Sequence, residues 1–270
     1  MTSAVIIFLR EVLEAMLIVC ILLGSCSNLG ISRRWVGFAA LAGMFGALLY
    51  AMAFDRITEA FEGVGQEVFN AVLLYTIGLC LAVYGVVAAG GIHGSARPGQ
   101  LRLGTWMLGC AVMLAITREI AELYLFVSGF VVNTEALPAI LLGGTLGTGI
   151  GLSMGALIYY AVHSRDRYHN LQLTCIVMVP LAAGMVSQAT NYLMQADILP
   201  SQLPLWDSSS LISETSIVGE LLYAVFSYEA TPTPLQAVLY LGSGAAVAAA
   251  MVWSVVRSRG QLRTLAAPGN

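Results

Sequence analysis

The chain has 270 residues, of which 58% are hydrophobic and only 10% charged, and its mean hydropathy is +0.83. Soluble domains carry about 25% charged and about 45–50% apolar residues, so this composition excludes an ordinary soluble domain. It predicts an integral membrane protein with a net charge of -3. No interval reads as a separate soluble unit, and residues 1–270 are therefore predicted to form a single membrane domain.

Seven hydrophobic runs are long enough to cross a bilayer, which takes about 17–25 residues. The first run lacks the positively charged N-terminal region and the small-residue cleavage site of a signal peptide, so we expect it to be retained as a helix. The most polar interval, about 195–234, is predicted to be an outer segment before the last helix. In chain order the runs lie at about 3–24, 36–54, 68–91, 105–131, 139–162, 171–194 and 235–256.

The arginines predict how these helices are oriented. Short cytoplasmic loops collect Arg and Lys, and among the loop arginines only Arg56 departs from an alternating pattern. The N-terminus is therefore predicted outside and the C-terminus inside, in a cell membrane that is most simply the bacterial inner membrane. The arginines that define this pattern are Arg33, Arg34, Arg97, Arg102, Arg165, Arg167, Arg257, Arg259 and Arg263.

The first and fourth runs contain the same charged motif. REVLE begins at Arg10 and REIAE begins at Arg118, and each has the spacing R-E-x-x-E. Positions i, i+1 and i+4 fall within about 100° of a helix circumference, so each motif presents its charges on one stripe. Charges inside a membrane cost at least ~2.5–3.5 kcal/mol and are usually paired, turned inward and functional.

The repeated motif predicts an inverted internal repeat. The first run crosses from outside to inside and the fourth from inside to outside, so the two sets of three helices would be related by inversion. Repeat one would cover about 3–91 and repeat two about 105–194, followed by the outer segment and a seventh helix at about 235–256. Both motifs would then lie in the outer half of the membrane or near its middle, where they can meet.

Two facing motifs provide four carboxylates, and oxygen-rich sites of this kind suit metal cations. We therefore predict Glu11, Glu14, Glu119 and Glu122 as metal ligands, with Arg10 and Arg118 balancing their charge. The alternative is a pair of buried salt bridges that only fix helix packing.

REVLE and REIAE resemble the paired R-E-G-L-E motifs of the high-affinity iron permeases, the oxidase-dependent iron transporters. A third segment, residues 205–234, also resembles bacterial members, with Trp206, Asp207 and Tyr228 at the expected spacing. The resemblance implies a seven-helix permease that imports iron, with ferric iron delivered by an extracytoplasmic oxidase or iron-binding protein. It implies no enzymatic activity and no permanently bound cofactor, since iron is the cargo, and we expect no nucleic-acid partner.

Departures from the family pattern spare the charged positions. Val12 and Ile120 replace the family glycine, and Ala121 replaces a usual leucine. Asn70 stands where some relatives have a second acid, and the sixth run lacks a histidine that some relatives have. We therefore expect the departures to affect helix packing and the choice of cation, while the carboxylates of the two motifs are retained.

Further acidic and polar residues are candidates for capturing the cation or lining its path. Glu59 and Glu62 resemble the acidic E-x-x-E elements that the family places outside, and they would share a cation if their loop were helical. The sixth run carries a polar stripe. The candidates for outer capture are Glu59, Glu62 and Glu67, and those for the path are Gln188, Asn191, Asp207 and Glu214.

Three alternatives to iron import remain open at this stage. The nearest is a transporter of a divalent metal, Fe²⁺, Mn²⁺ or Pb²⁺, on the same scaffold, because carboxylates accept these ions too. A second is an intramembrane redox protein, although no predicted span carries the histidine that a haem would require. The third is a membrane subunit that does not transport and uses its buried ion pairs for assembly.

Overall fold

The structure is a computed structural model that describes residues 2–92, 98–129, 137–214 and 216–266. The described residues form eight α-helices joined by turns and short 3-10 segments, and they contain no strand. The helices are α1 Thr2–Cys26, α2 Arg34–Glu59, α3 Gly65–Gly91, α4 Pro98–Ser128, α5 Leu137–His163, α6 Arg167–Gln195, α7 Ile217–Phe226 and α8 Pro234–Ala266. The predicted all-α class is confirmed for this part of the chain.

Five of these helices, α2, α3, α5, α6 and α8, are long and apolar enough to cross a membrane. Helices α1 and α4 have 25 and 31 residues, but each also carries the three charges of an R-E-x-x-E motif. Within the described residues, each of the seven predicted runs coincides with a long helix, and the last two residues of the fourth run, 130–131, lie outside the described residues. The short helix α7 was not predicted, because its ten residues lie within an interval that is polar on average.

The buried core is shared mainly by α1, α3, α4 and α6. Its fully buried side chains include Leu22, Leu74, Leu108 and Leu171, one from each of these helices. Helices α2 and α8 instead expose large apolar side chains to the surroundings of the protein, among them Phe38, Met52, Leu241 and Trp253. A helix with an apolar outer face is expected where the surroundings are lipid, and the multi-pass membrane assignment follows from this pattern together with the five apolar helices.

Close packing of α1 against α5 depends on glycines. Gly144 and Gly147 lie against Phe8, Gly151 lies against Val12, and Gly155 lies against Met16, so the two helices run in the same direction. A Cβ atom at Gly147 would collide with the α1 backbone. Small residues at such positions let membrane helices approach each other closely.

The contact between α2 and α4 is built in the same way. Gly43 lies against Met113 and Ile116, and Gly46 lies against Thr117, so these helices are also parallel. Gly147 makes the corresponding contacts with Val5 and Phe8. Val5 precedes Arg10 by the same number of residues as Met113 precedes Arg118. Each motif-bearing helix is therefore held at the same point by a glycine of a helix from the other half of the chain.

Candidate metal site

The two R-E-x-x-E motifs meet inside the bundle, where α1 contacts α4. The helical spacing turns Glu11 and Glu14 inward from α1, and it turns Arg118 and Glu119 inward from α4. All four residues are buried. The structure thus brings both predicted motifs to one place.

Arg118 is the centre of the ion pairs at this contact. Its Nη1 atom lies 2.8 Å from Oε1 of Glu119 and 3.2 Å from Oε2 of Glu14 on the other helix. Its Nε atom lies 2.9 Å from Oε1 of Glu122. One guanidinium therefore joins carboxylates from both motifs, and the planar fork of arginine suits this arrangement.

Arg10 occupies a different environment from Arg118. Its side chain is 31% exposed, whereas that of Arg118 is 2% exposed. Its Nε atom donates to Oε1 of Glu14 over 3.2 Å, and its guanidinium lies 4.3 Å from the centre of the Tyr223 ring on α7. A cation over an aromatic face is stabilised by the ring quadrupole, so α7 contributes to the part of the site that surrounds Arg10.

Three of the four predicted ligands form a compact group of carboxylates. One oxygen from each of Glu11, Glu119 and Glu122 lies within 4.8 Å of the others. The Oε2 atoms of Glu11 and Glu119 are buried and accept no hydrogen bond from any residue that the structure describes. Glu14 lies beside this group and is paired with both arginines. We call Glu11, Glu14, Glu119 and Glu122 the carboxylate cluster.

The cluster has the charge and donor chemistry of a cation site. When ionised, its four carboxylates and the two arginines carry a formal net charge of -2, which a multivalent cation would neutralise. Carboxylate oxygens are hard ligands that bind iron, manganese and similar ions. Buried oxygens without a hydrogen-bond donor are also unusual in native structures and call for a missing partner such as an ion.

Tyr192 is a neighbour of the cluster that the sequence did not reveal. Its hydroxyl on α6 donates to Oε1 of Glu122 over 3.1 Å. The predicted polar stripe on α6 did include the adjacent Asn191, which is half-buried, and Gln188, which is buried. Gln188 donates from Nε2 to Oγ of Ser227 over 3.2 Å, and its Oε1 atom has no partner among the described residues.

Two of the predicted path residues form hydrogen bonds within the outer segment instead. Asp207 is exposed and accepts from the Ser209 backbone N–H over 2.9 Å, which lowers the pKa of its carboxyl group. Glu214 is exposed, and its Oε1 atom accepts from the backbone N–H of Ala230. The structure therefore places both side chains in loop hydrogen bonds and outside the carboxylate cluster.

Glu229 is a half-buried carboxylate that the sequence analysis did not single out. Its two oxygens accept from Nε2 of Gln236 at 3.1 and 2.8 Å. Burial raises the pKa of Glu229 to about 7, although the Gln236 hydrogen bonds lower it and the nearby Glu214 raises it further. It lines a cavity of about 300 Å³ between the outer segment and α8, together with Ser187 and Ser227.

The three candidates for outer capture lie at the turn from α2 to α3. Glu59 and Glu62 are exposed, and Glu67 is half-buried with its Oε2 atom shielded from solvent. The α-helix ends at Glu59, and Phe61, Glu62 and Gly63 all have positive φ angles, of 51°, 65° and 98°. The turn is thus not α-helical, and the helical spacing that would let Glu59 and Glu62 share a cation is not present.

The fold and the site define a class of protein: a multi-pass helical membrane protein with a buried, arginine-bridged carboxylate site between two copies of one motif. Comparison with known families gives the particular member of that class. A family model described as the Iron permease FTR1 family matches residues 1–266. The chain belongs to this iron permease family, as the sequence analysis expected.

Individual relatives agree with the family assignment. The chain is 24% identical over 253 residues to the ferrous iron permease EfeU of Escherichia coli O6:K15:H31, with 84% of this chain and 87% of the relative covered. It is 24% identical over 255 residues to EfeU of Yersinia pestis, with 87% of each chain covered. An uncharacterized protein of Archaeoglobus fulgidus is 21% identical over 274 residues and 97% of both chains. No solved structure matches the chain.

Proposed function

We propose that the protein imports iron across a bacterial inner membrane, and that the carboxylate cluster is where the iron binds on its way. The observation that carries this proposal is the convergence of Glu11, Glu119 and Glu122, with oxygens within 4.8 Å of one another, at the contact of two repeated motifs. Iron transport itself follows from the family. The assignment of these residues as its ligands rests on their geometry and charge.

We further propose that the incoming ion is ferric iron supplied by an extracytoplasmic oxidase. The cluster supports this because it offers only hard carboxylate oxygens, and such ligands suit a highly charged ion. The same oxygens accept ferrous iron, and the relatives from Escherichia coli and Yersinia pestis are named for the ferrous ion. Uptake measured separately with Fe²⁺ under reducing conditions and with chelated Fe³⁺ decides which ion the protein carries.

The arginines are proposed to hold the empty cluster together. Without a cation, four neighbouring carboxylates would repel one another, and Arg118 offsets this by pairing with Glu14, Glu119 and Glu122. An arriving cation would compete with the guanidinium for these oxygens. The protein itself is proposed to carry out no chemical conversion of its cargo.

The proposed topology has α1–α3 and α4–α6 as inverted repeats, with the N-terminus outside. Gly43 of α2 contacts α4, and Gly147 of α5 makes the equivalent contact with α1. This equivalence supports the proposed relation between the halves. Helices α1 and α4 would then run in opposite directions across the membrane, and both motifs would lie toward its outer side. Helix α7, which contacts Arg10, would lie on that same side.

The decisive experiment measures iron binding and iron uptake together. Glu122→Gln keeps the shape of the side chain but removes its charge, so we expect loss of uptake with normal membrane insertion. Asp55→Asn is the matched control, since Asp55 is an exposed acid on α2. Purified wild-type protein should hold iron and the Glu122→Gln variant should not.

Three other results would each reject part of the proposal. Wild-type uptake by Glu122→Gln would show that the cluster is not the iron site. Preferential binding of Mn²⁺ or Pb²⁺ would assign a different cargo to the same site. Failed assembly with unchanged transport in the inserted fraction would mean that the ion pairs serve structure alone.

A further inference from the structure

A groove lies between α2 and α4, next to the close contact that supports the second motif helix. Gly43 of α2 lies against Met113 of α4. From there toward the N-terminal ends of both helices, the seam opens into a cavity of about 390 Å³. The residues that line it include Phe38, Ala39 and Ala42 of α2 and Trp106, Gly109 and Met113 of α4. We call this cavity the α2–α4 groove.

The lining of the groove is mainly apolar. The hydroxyl of Thr105 donates to the backbone carbonyl of Leu101 over 2.9 Å, so it needs no partner from within the groove. Gly109 leaves the groove open, because a Cβ atom there would meet nothing within 4 Å. Phe38 and Trp106 are 75% and 66% exposed. A groove of this kind suits a hydrocarbon chain, which has no hydrogen bonds to lose.

Two arginines lie at the end of the groove where both helices begin. Arg34 precedes Phe38 by four residues, and Arg102 precedes Trp106 by four. Residues four apart share a helix face, so each arginine lies one turn beyond the groove on the face that lines it. Both arginines are exposed, and neither makes an ion pair with any residue that the structure describes.

This end of the groove lies at the membrane surface. Helix α2 begins at Arg34 itself, and α4 begins one turn before Arg102. Trp35 and Trp106, which both line the groove, follow the two arginines. Tryptophan is enriched where a membrane meets water. The groove therefore joins an apolar channel along two membrane helices to two positive charges at the level of the lipid headgroups.

We propose that the α2–α4 groove is a binding site for an anionic phospholipid, with an acyl chain along the groove and the phosphate group beside Arg34 and Arg102. Basic pockets between membrane helices bind anionic lipid headgroups in this way. The lipid fills the part of the seam that protein atoms leave open, and it thereby supports α4, which carries Arg118. The inference goes beyond iron transport and does not depend on the carboxylate cluster.

A second copy of the chain fits the groove less well. Its apolar side chains could enter, but the two arginines would then need acidic partners. Arg33 donates to the hydroxyl of Tyr159 near the end of α5 over 2.8 Å, which places the α5–α6 turn at this same end of the bundle. The acid of that turn, Asp166, already contacts His169 over 2.6 Å. An anionic phospholipid supplies the negative charge and the hydrocarbon in one molecule.

The test measures lipid binding to the full chain after its own lipids are removed in detergent. Phosphatidylglycerol and phosphatidylcholine with identical acyl chains are added separately, and native mass spectrometry and thermal unfolding follow their binding. Saturating phosphatidylglycerol should raise the unfolding temperature by at least about 3 °C, and phosphatidylcholine should raise it much less. Inorganic phosphate alone should have no effect, because it lacks an acyl chain.

The headgroup contact is tested by combining Arg34→Gln with Arg102→Gln. Each arginine near a membrane surface contributes to the attraction of anionic lipid, so the double variant should bind phosphatidylglycerol at least about tenfold more weakly. Without lipid it should unfold like the wild type, since both side chains are exposed. Arg165→Gln is the matched control, because Arg165 is an exposed arginine at the same end of the bundle but outside the groove.

The acyl-chain contact is tested by Gly109→Leu. The leucine side chain enters the groove without a collision at its Cβ atom, so the lipid-free protein should keep its unfolding temperature. Binding of phosphatidylglycerol should weaken by about tenfold as in the arginine variant. Gly242→Leu on α8 is the matched control, because a Cβ atom there also meets nothing within 4 Å.

Several results would overturn the proposal. Equal stabilisation by the two lipids, or equal loss of binding in Arg165→Gln, would show that the groove does not recognise the headgroup. Unchanged binding in the double arginine variant or in Gly109→Leu would place the lipid elsewhere. Stabilisation by inorganic phosphate alone would indicate an anion site without a lipid. A wild-type dimer that Gly109→Leu dissociates would assign the groove to a second copy. The iron site is tested separately by Glu122→Gln.

Discussion

Arg10 and Arg118 hold the same place in their motifs, but only Arg118 is fully enclosed. It pairs with carboxylates of both motifs, whereas Arg10 is partly exposed and lies over the Tyr223 ring. Removing one partner of a buried pair leaves an uncompensated charge and costs about 3–5 kcal/mol. Removing the partly exposed Arg10 should cost less, because Glu14 keeps its ion pair with Arg118. The two arginines should therefore differ in their effect on stability.

We predict that Arg118→Ala lowers the thermal stability of the purified protein far more than Arg10→Ala does. Arg118→Lys should restore it only in part, because lysine lacks the planar fork that reaches several carboxylates. Thermal unfolding in one detergent, with iron removed, measures the three variants on the same scale. Equal unfolding temperatures for the two alanine variants would contradict the central place given to Arg118.

At the scale of residues, the sequence predicted the charged positions but not their neighbours. The spacing R-E-x-x-E is enough to place three charges on one helical stripe, and the structure brings those stripes together. Tyr192 and Tyr223 reach the site from α6 and α7. Their positions depend on how distant helices pack, and nothing in the local sequence around a tyrosine signals that.

At the scale of elements, glycines determine how closely the motif-bearing helices are held. The buried glycines of α5 recur at four-residue intervals from Gly147 to Gly155, and these glycines face α1. The apolar composition of α5 predicts a membrane span but does not reveal this face. Composition is averaged over a window, whereas a packing face depends on which side of the helix each glycine occupies.

We predict that Gly147→Ala destabilises the protein by about 1–3 kcal/mol, the usual cost of overpacking, and reduces iron uptake by displacing α1. Gly149→Ala is the matched control on the same helix, because a Cβ atom there meets nothing within 4 Å. Thermal unfolding and uptake should be measured for both variants. Similar behaviour of the two would show that α1 and α5 are not tightly packed.

The outer segment was expected to line the path, but Asp207 and Glu214 form hydrogen bonds within it. Its half-buried acid is Glu229, and partial burial raises the pKa of this carboxyl group from 4.5 to about 7. A raised pKa means that the folded segment binds the proton more tightly than the unfolded chain does. Protonated Glu229 therefore contributes its full stabilisation of the folded segment below about pH 4.5. This contribution is lost as the pH rises through about 7.

We predict that the outer segment becomes less stable between pH 5 and pH 8, and that Glu229→Gln removes most of this dependence. The amide is neutral at every pH in that range, so it imitates the protonated acid. Limited proteolysis or hydrogen exchange of the segment, followed across the pH range, measures the effect. A pH profile unchanged by the substitution would assign the dependence to another group.

At the scale of the whole molecule, the two proposed halves, α1–α3 and α4–α6, interlock. Helix α1 packs on α5, and α4 packs on α2, so each motif helix is supported by the other half. The sequence predicted an inverted repeat from the motif and the arginine pattern alone. It could not predict this exchange of partners, because hydropathy gives the number and direction of spans but not which of them touch.

We predict that the α2–α3 turn is reached from outside the cell and the α5–α6 turn from inside. Single cysteines replacing Glu62 and Arg165, both exposed, would be introduced into a background without the five native cysteines. A membrane-impermeant thiol reagent should label the first in intact cells and the second only after lysis. The reverse pattern would mean that the arginine distribution does not set the orientation.

The position of Arg118 has a consequence for how binding and movement are connected. Its contact with Glu14 ties the first half of the chain to the second, and Glu14 and Glu119 belong to the cluster that the cargo would occupy. If a cation drew these oxygens to itself, it would weaken that tie, and the loaded protein would be freer than the empty one to change the angle between its proposed halves. Binding of the cargo would thus weaken the ion pair that restrains the movement needed for transport. An empty carrier would keep this ion pair and would not let other ions leak across the membrane.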